Sequence, residues 1–398
     1  MISVKEAQSI ILSHLQDFGV EKVSLQNAVG RVLKEPILGD RDFPPFNRVT
    51  MDGIAIQYSQ FEKGIRTFYI EGLAAAGAPE MKLDNSANCL EVMTGAMLPQ
   101  NTDTVIRYED VVIKEGGATI QVDVLKYEQN VHFQGLDQNK GDLLIEEGIM
   151  LSPAEIGVCA TVGKKELLVA KHPNILIISS GDELVEVDEN PLPHQIRKSN
   201  VWQLKAILKK NGFEADTAHL RDKKQEIVSA LKSYLNNYDV LLFSGAVSKG
   251  KFDFLPEALE EVGVQKHFHR VKQRPGKPFW FGTTDQGKTV FAFPGNPVST
   301  FACAHFYLLD WLQKSLAQQK VSKPYAILNE DFTFKPDLTF FLQVKISFDN
   351  TGKLLATPVA GNGSGDLANL AYADGFLVIP QGKNEFKNGE VYPVILYR

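Results

Sequence analysis

The feature that most constrains this chain is a regular alternation of apolar strands and helices between residues 173 and 320. NILIISSGDEL reads as a continuous apolar strand that ends in small polar residues. SNVWQLKAILKKNG follows as a helix, with Ser199 or Asn200 at its N-cap and Gly212 just past its end. FEADTAHLRD is a second strand, KKQEIVSALKSYLNN a helix, DVLLFSG a third strand and FLPEALEEVG a helix. KTVFAFPG is another strand, and NPVSTFACAHFYLLDWLQKSLAQQ one long helix with Pro297 in its first turn. Fully apolar strands separated by helices imply a parallel sheet covered on both faces.

The flanking segments differ in pattern. Residues 3–17 read as one amphipathic helix, opened by a capping box of Ser3 and Glu6, with Ala7, Ile10, Ile11, His14 and Leu15 on one stripe. From Pro36 to about Val131, apolar runs such as GIAIQY, RTFYIEGLAAAG and ATIQVDVL are broken by Gly, Pro, Asn and Asp, which favours a β-rich region. A second helix is expected over 152–163, with Ser152 as cap, Pro153 at its first position and Glu155 completing a capping box. The tail from Lys323 alternates again, as in FFLQVKISF and VYPVILYR, and predicts a small C-terminal β domain. A chain of 398 residues exceeds what one core normally serves, so two to four domains are expected.

Composition excludes several classes. The net charge is -6 and no Lys/Arg block stands out, so nucleic acid is not an expected partner. An anionic ligand would need a local site. Cys89, Cys159 and Cys303 are isolated and far apart, which suggests buried small hydrophobes and neither a disulfide framework nor a zinc ribbon. The segment MISVKEAQSI has no apolar h-region, and no stretch approaches a membrane span, so a cytoplasmic chain is expected.

In an open parallel sheet, ligands bind beyond the carboxyl ends of the strands. Those ends carry Ser179, Ser180, Gly181, Asp182 and Glu183, then Arg221 and Asp222, then the run from Ser244 through Ser248 to Gly250, and finally Phe293, Pro294, Gly295, Asn296, Pro297, Val298 and Ser299. All four loops are expected on one edge of the sheet. Gly and Ser beside helix starts suit a phosphate or another oxyanion, although turn chemistry alone asks for the same residues. Asp182, Glu183, Asp222 and Asp253 lie in or next to these loops. Taken singly, such aspartates serve as caps; beside an anion they suit Mg²⁺, which takes one or two carboxylates together with phosphate oxygens. Arg274-Pro275-Gly276-Lys277-Pro278 places two cations on a stiff turn, which suits a phosphate or another oxyanion. Asp52-Gly53 and Met93-Thr94-Gly95-Ala96 read by themselves as turns. His267 and His269 alternate on a strand without a third ligand nearby and read as structural, His305 as packing, and Trp202, Trp280 and Trp311 as core or interface.

The ordered set F-P-P-F-N-x-x-x-M-D-G, M-T-G-A, D-T-V, L-S-P-A-E-I-G, S-S-G-D-E-L, S-N, S-G-A-V-S-K-G-x-x-D, P-G-K-P-F-x-F-G and F-P-G-N-P-V-S resembles the MoeA family of molybdopterin molybdenumtransferases and the gephyrin E domain. The resemblance implies a multi-domain α/β chain in four pieces. Residues 1–40 with 131–171 would form a discontinuous helical and β domain, and 41–130 a β-rich insertion. Residues 172–320 would form an α/β domain similar to the MogA/MoaB molybdopterin-binding fold, and 321–398 a C-terminal β domain. It implies a homodimer whose site is shared between subunits, and a reaction that joins molybdate to adenylylated molybdopterin with Mg²⁺ assistance and release of AMP. On this reading Asp182, Glu183, Asp222 and Asp253 handle Mg²⁺ and phosphate, and Arg274 and Lys277 hold molybdate or developing charge. Ser180, Gly181, Ser248, Pro294, Gly295, Asn296, Ser299, Asp137 and Ser364 bind the substrate, with Asp52 and Thr94 supplied by the partner. Four places depart from the pattern: His132-Phe133-Gln134 where basic residues are usual, Lys198 where an acid or amide precedes S-N, Ala246 for a Gly, and Arg274 for a Lys. Two alternatives use the same fold: a molybdopterin adenylyltransferase on the α/β module, or a non-catalytic scaffold of the gephyrin type.

Overall fold

The structure is a computed structural model that describes residues 1–221, 223–245, 254–319, 322–361 and 363–398. The chain divides into two compact units, one of Met1–Lys34, Glu147–Ser152 and Glu166–Arg398, the other of Glu35–Glu146 and Pro153–Lys165.

The smaller unit is built on a six-stranded sheet in the order Thr104–Arg107, Gly53–Ile56, Cys89–Val92, Thr67–Ala74, Gly117–Ile120, Val111–Lys114. Strand side chains alternate between faces, so Ile54 and Ile56 enter one core with Phe61, Phe68 and Ile106, while Ala55 enters a second with Val92 and Val105. The expected β-rich character of this region follows from that alternation. Of the run ATIQVDVL, only the part within Gly117–Ile120 is strand.

In the larger unit the first helix spans Val4–Leu12, and the Ser3/Glu6 capping box is present. It stops short of the expected residue 17. Ser13 Oγ donates to the Ile10 carbonyl (2.8 Å), and His14 Nδ1 contacts the same oxygen (2.8 Å), which occupies the acceptor that would carry the helix onward. Trp311 Nε1 then donates to the His14 carbonyl at 2.8 Å and fixes the chain where it leaves the helix.

The central sheet contains β1 (Ile175–Ser180), β2 (Asp216–Leu220), β3 (Val240–Ser244), β4 (Gln265–Phe268), β5 (Trp280–Thr283) and β6 (Thr289–Phe293). Their spatial order is β2-β1-β3-β6-β5-β4. The first four are mutually parallel, as the strand–helix alternation predicts. The sheet is not wholly parallel, however, because β5 at one edge runs against β6 and against the outermost strand β4. The reason is the short connection from β5 to β6, closed by Thr284 N–H to the Lys288 carbonyl (2.9 Å): a hairpin reverses the chain, whereas a parallel pair needs a long crossover. Helices α1 (Ser199–Lys210), α2 (Lys224–Asn237), α3 (Leu255–Glu261) and α4 (Pro297–Cys303) cover the sheet. Leu204 and Leu208 of α1 pack on Ile175, Ile177 and Phe291, and Ile227 and Leu231 of α2 pack on the opposite face with Ile178 and Phe243. Each such fully buried side chain contributes about 1.5–3 kcal/mol. The expected long helix from Pro297 passes through a π-helical turn, Ala304–Leu308, and ends at Ser315 rather than near residue 320.

The tail forms a closed ring of strand pairs: Thr339–Phe348, Leu354–Pro358, Tyr325–Leu328, Val391–Leu396, Gly375–Ile379 and back to the first. Leu328, Val344, Ala356, Leu377 and Val394 fill its interior. Gln273 and Arg274 pair in parallel with Thr339 and Phe340, so the strand leading into the Arg-Pro-Gly-Lys turn is an edge of this ring.

Candidate active site

The register of the parallel strands decides where their carboxyl ends fall. Ser180 lies opposite Leu220, Ser179 opposite Ser244, and Ser244 opposite Phe293. The carboxyl ends of β1, β3 and β6 therefore lie side by side. Beyond them lies a cavity of about 330 Å³, lined by Ser180, Glu183, Asn200, Gly245, Gly295 and Asn296, with Gly365 also on its wall. Helix α4 starts at this cavity with Pro297 at its first position. Asn296 Nδ2 donates to Ser364 Oγ (2.7 Å), and Val298 N–H donates to the Ser364 carbonyl (3.2 Å). Ser364, expected in the closing loop, is thus tied to the start of α4.

Asn200 is the residue that reading the motifs undervalued. It was expected, with Ser199, only as a helix cap, but the N-cap is Lys198 and Asn200 lies in the first turn of α1. Its Nδ2 donates to Ser244 Oγ (2.8 Å) and to the Gly295 carbonyl (2.7 Å), linking the end of β3 to the loop after β6. Its Oδ1 is buried and has no partner among the described residues. The S-N motif was the available signal; it carried no record that α1 begins against the end of β3 and the loop after β6.

At the end of β1, Gly181 has φ +136°, and a Cβ there would fall on the Glu183 carboxylate, so the position demands glycine. Asp182 is exposed in the same turn, and Glu183 lines the cavity. The Glu183 carbonyl accepts from Ile196 N–H (2.9 Å), where Leu184 and Val185 pair with Ile196 and Arg197. Lys198, which breaks the family pattern, does not stand as an isolated cation. Its Nζ pairs with Glu186 at 2.5 Å and its side chain is only 11% exposed.

Arg274 and Lys277 are exposed while Pro275 and Gly276 between them are buried. Gln273 anchors the turn: its Nε2 donates to the Gly276 carbonyl (3.0 Å) and to Cys303 Sγ (3.2 Å), and Tyr307 OH donates to its Oε1 (2.6 Å). Arg274 lines a second, shallower pocket with Pro275, Val298, Gly363 and Ser364. Ser299 lies inside α4, 3% exposed, and does not line the cavity. The Pro294 carbonyl accepts from Thr300 Oγ1 at 2.6 Å. His267 bonds Thr283 Oγ1 (2.8 Å) and stacks on His14, in keeping with a structural role. All three cysteines are buried and free. Trp280 and Trp311 are fully buried, whereas Trp202 is 54% exposed and is not core.

In the smaller unit Asp52 and Thr94 come together: Asp52 Oδ1 accepts from Thr94 N–H (2.6 Å) and Thr94 Oγ1 (2.8 Å). These hydrogen bonds, the backbone one first, hold the Asp52 carboxyl below its ordinary range. Asp137 Oδ1 contacts His132 Nε2 (3.0 Å), and His132 Nδ1 contacts an Arg48 guanidinium nitrogen (3.2 Å). The His132 ring thus lies between Asp137 and Arg48, one on each of its nitrogens. Asp222, Ser248 and Asp253 lie outside the described residues. Among the described residues no group of three or more His, Cys, Asp or Glu is placed to hold a metal. Among the described residues no helix is long and apolar enough to cross a membrane.

Comparison with known proteins agrees with this arrangement. A family model described as the MoeA N-terminal region (domain I and II) matches residues 2–163. One for a probable molybdopterin binding domain matches 176–314, and one for the MoeA C-terminal region (domain IV) matches 325–397. A Synechocystis protein named molybdopterin molybdenumtransferase is 42% identical, with 99% of each chain covered. A Staphylococcus epidermidis protein of the same name is 30% identical over 99% of this chain and 95% of its own. The crystal structure of a molybdopterin biosynthesis MoeA protein from Pyrococcus horikoshii, 27% identical, superposes with a TM-score of 0.85 over the whole of both chains. With the three regions matched in order, relatives similar from end to end and the same fold in a solved MoeA structure, this chain belongs to the MoeA family.

Proposed function

We propose that this protein is a molybdopterin molybdenumtransferase, which joins molybdate to adenylylated molybdopterin and releases AMP in molybdenum cofactor biosynthesis. The observation that carries this reading is the cavity at the carboxyl ends of β1, β3 and β6, where Ser180, Gly245, Gly295 and Asn296 meet beside the start of α4. Backbone N–H groups and hydroxyls gathered there suit a phosphate. Full-length relatives named as the transferase favour it over an adenylyltransferase or a scaffold.

Asp182 and Glu183 supply two carboxylates at one strand end, which fits a Mg²⁺ ion completed by phosphate oxygens, with Asp253 as a further ligand. Mg²⁺ bound there would supply positive charge against the pyrophosphate. Asp222 would position the phosphates. Ser248, Gly295, Asn296 and Ser299 belong to the loops that would receive the nucleotide or pterin phosphate, Ser299 through its stretch of α4 and not through its buried hydroxyl. Arg274 and Lys277, held out by a buried Pro-Gly pair, would bind molybdate or stabilise charge as AMP departs. Asp137 would bind the substrate, and Asp52 and Thr94 would complete the site from the partner of a homodimer in the cytoplasm. The four-piece division at residues 40, 130, 171 and 320 belongs to the same reading.

The test is AMP release from adenylylated molybdopterin with Mg²⁺, with and without molybdate, for the native chain and Asp182→Asn. Molybdate-dependent release that the substitution abolishes is expected. A folded protein that binds the pterin nucleotide yet releases no AMP would refute the assignment.

A further inference from the structure

A second cavity, of about 160 Å³, lies on the other side of the N-terminal end of α1. Its wall is Trp202 and Lys205, three residues apart and so on one flank of the helix. Its floor is Thr217 and His219 on the edge strand β2, and its rim is the Lys198–Glu186 pair. Ser179, Lys198 and Val201 line both this cavity and the larger one, so the two share a wall.

Two features of this pocket are unlike a covered core. Thr217 and His219 lie opposite Ile177 and Ser179 in the parallel register and so share their face of the sheet. On that face Ile175 and Ile177 of β1 are core beneath α1, yet the edge strand presents a hydroxyl and an imidazole. The imidazole is fixed: His219 Nδ1 contacts Ser179 Oγ at 2.9 Å, which leaves Nε2 as its other polar atom. Burial and then the nearby Lys198 lower its pKa, which keeps it neutral and able to hydrogen-bond a neutral partner. Trp202, at 54% exposure, leaves a large aromatic surface beside this polar floor.

We infer that this pocket is a ring subsite of the active-site cavity, in which a planar nitrogen heterocycle of the substrate stacks on Trp202. The inference rests on the transferase reading, whose substrate carries two such rings, a pterin and an adenine, joined through phosphates. The volumes, about 160 and 330 Å³, suit one ring in the side pocket and the phosphate-bearing remainder in the larger cavity. His219 and Thr217 would meet the ring's edge nitrogens, and Lys205 would lie along the ring's other edge. Glu186 and Lys198 would close the rim, which makes the departure at Lys198 part of the subsite.

Trp202 is also the reporter. Of three tryptophans, Trp280 and Trp311 are fully buried, so a stacked ring quenches the emission of Trp202. Native chain, Trp202→Phe and Trp202→Ala would be titrated with AMP, with pterin-6-carboxylate and with ribose 5-phosphate, following emission and heat. Saturable quenching by one of the two ring compounds is expected, absent with ribose 5-phosphate and absent in Trp202→Phe. Quenching by AMP assigns the adenine, and quenching by the pterin assigns the pterin. Trp202→Ala should weaken that compound roughly 5- to 100-fold and leave the other unchanged. The inference fails if neither compound binds, if binding heat appears without quenching, or if Trp202→Ala changes neither affinity. Molybdate-dependent AMP release, measured separately, decides the transferase reading, so either can fail alone.

Discussion

Asn200 shows how much a single amide does here. Its Nδ2 reaches Ser244 Oγ, the Gly295 carbonyl and, at 3.5 Å, Thr300 Oγ1. Asn200→Ala should lower the free energy of unfolding by about 1–2 kcal/mol, since it removes these bonds and strands buried acceptors. It should lower kcat/KM for AMP release roughly tenfold or more, because Ser244 and Gly295, which it ties together, line the cavity. Chemical denaturation and steady-state assay check the two effects, and unchanged activity with reduced stability would make Asn200 merely structural. Gly276 makes a different point about single residues. It has φ +90°, and a Cβ there would lie 2.6 Å from Cys303 Sγ and 2.7 Å from Gln273 Nε2. A Pro-Gly turn was legible in the sequence. That it is pressed against a cysteine 27 positions later was not, because the contact depends on where α4 lies.

The elements that hold the site are tied by few buried polar bonds. Tyr307, in the π-turn after α4, donates to Gln273, which in turn holds the Gly276 carbonyl. Tyr307→Phe leaves Gln273 Oε1 buried without its donor and should cost about 1–3 kcal/mol. It should also raise KM for molybdate more than it lowers kcat, since the turn carrying Arg274 and Lys277 loses its anchor; kinetics at varied molybdate separates the two. His305 occupies the same π-turn and stacks on Phe301 (4.2 Å) and Tyr397 (5.8 Å). Burial pushes its pKa down to about 4 from 6.5. Between those values the unfolded chain binds more protons than the folded one, so stability rises with pH across that window and falls as pH drops from 6.5 towards 4. His305→Phe should flatten that part of the unfolding free energy against pH, measured in urea. The sequence marked His305 as packing. It could not mark the π-turn, which arises from i→i+5 bonding inside an otherwise helical pattern.

At the scale of the whole molecule, the sharing of a site between subunits is the claim to test. Mixing Asp52→Ala with Asp182→Asn chains, after unfolding and refolding together, should restore AMP release to roughly a quarter of the native rate. Random pairing makes half the dimers mixed, each with one site free of both changes. If each site lies within one subunit, the mixture stays inactive. The chain's sequence by itself determined the parallel heart of the sheet, because apolar runs separated by amphipathic helices can bury their backbone and side chains in few other ways. It also determined that Ser, Gly and Asn would gather at one edge, since parallel strands put all their carboxyl ends there. The antiparallel edge, the closed ring of C-terminal strands, the pairing of Lys198 with Glu186 and the pocket beside Trp202 emerge only once the chain has folded. Strand direction, ring closure and charge pairing depend on contacts between residues distant in sequence, and local pattern carries no record of which distant partner a side chain meets.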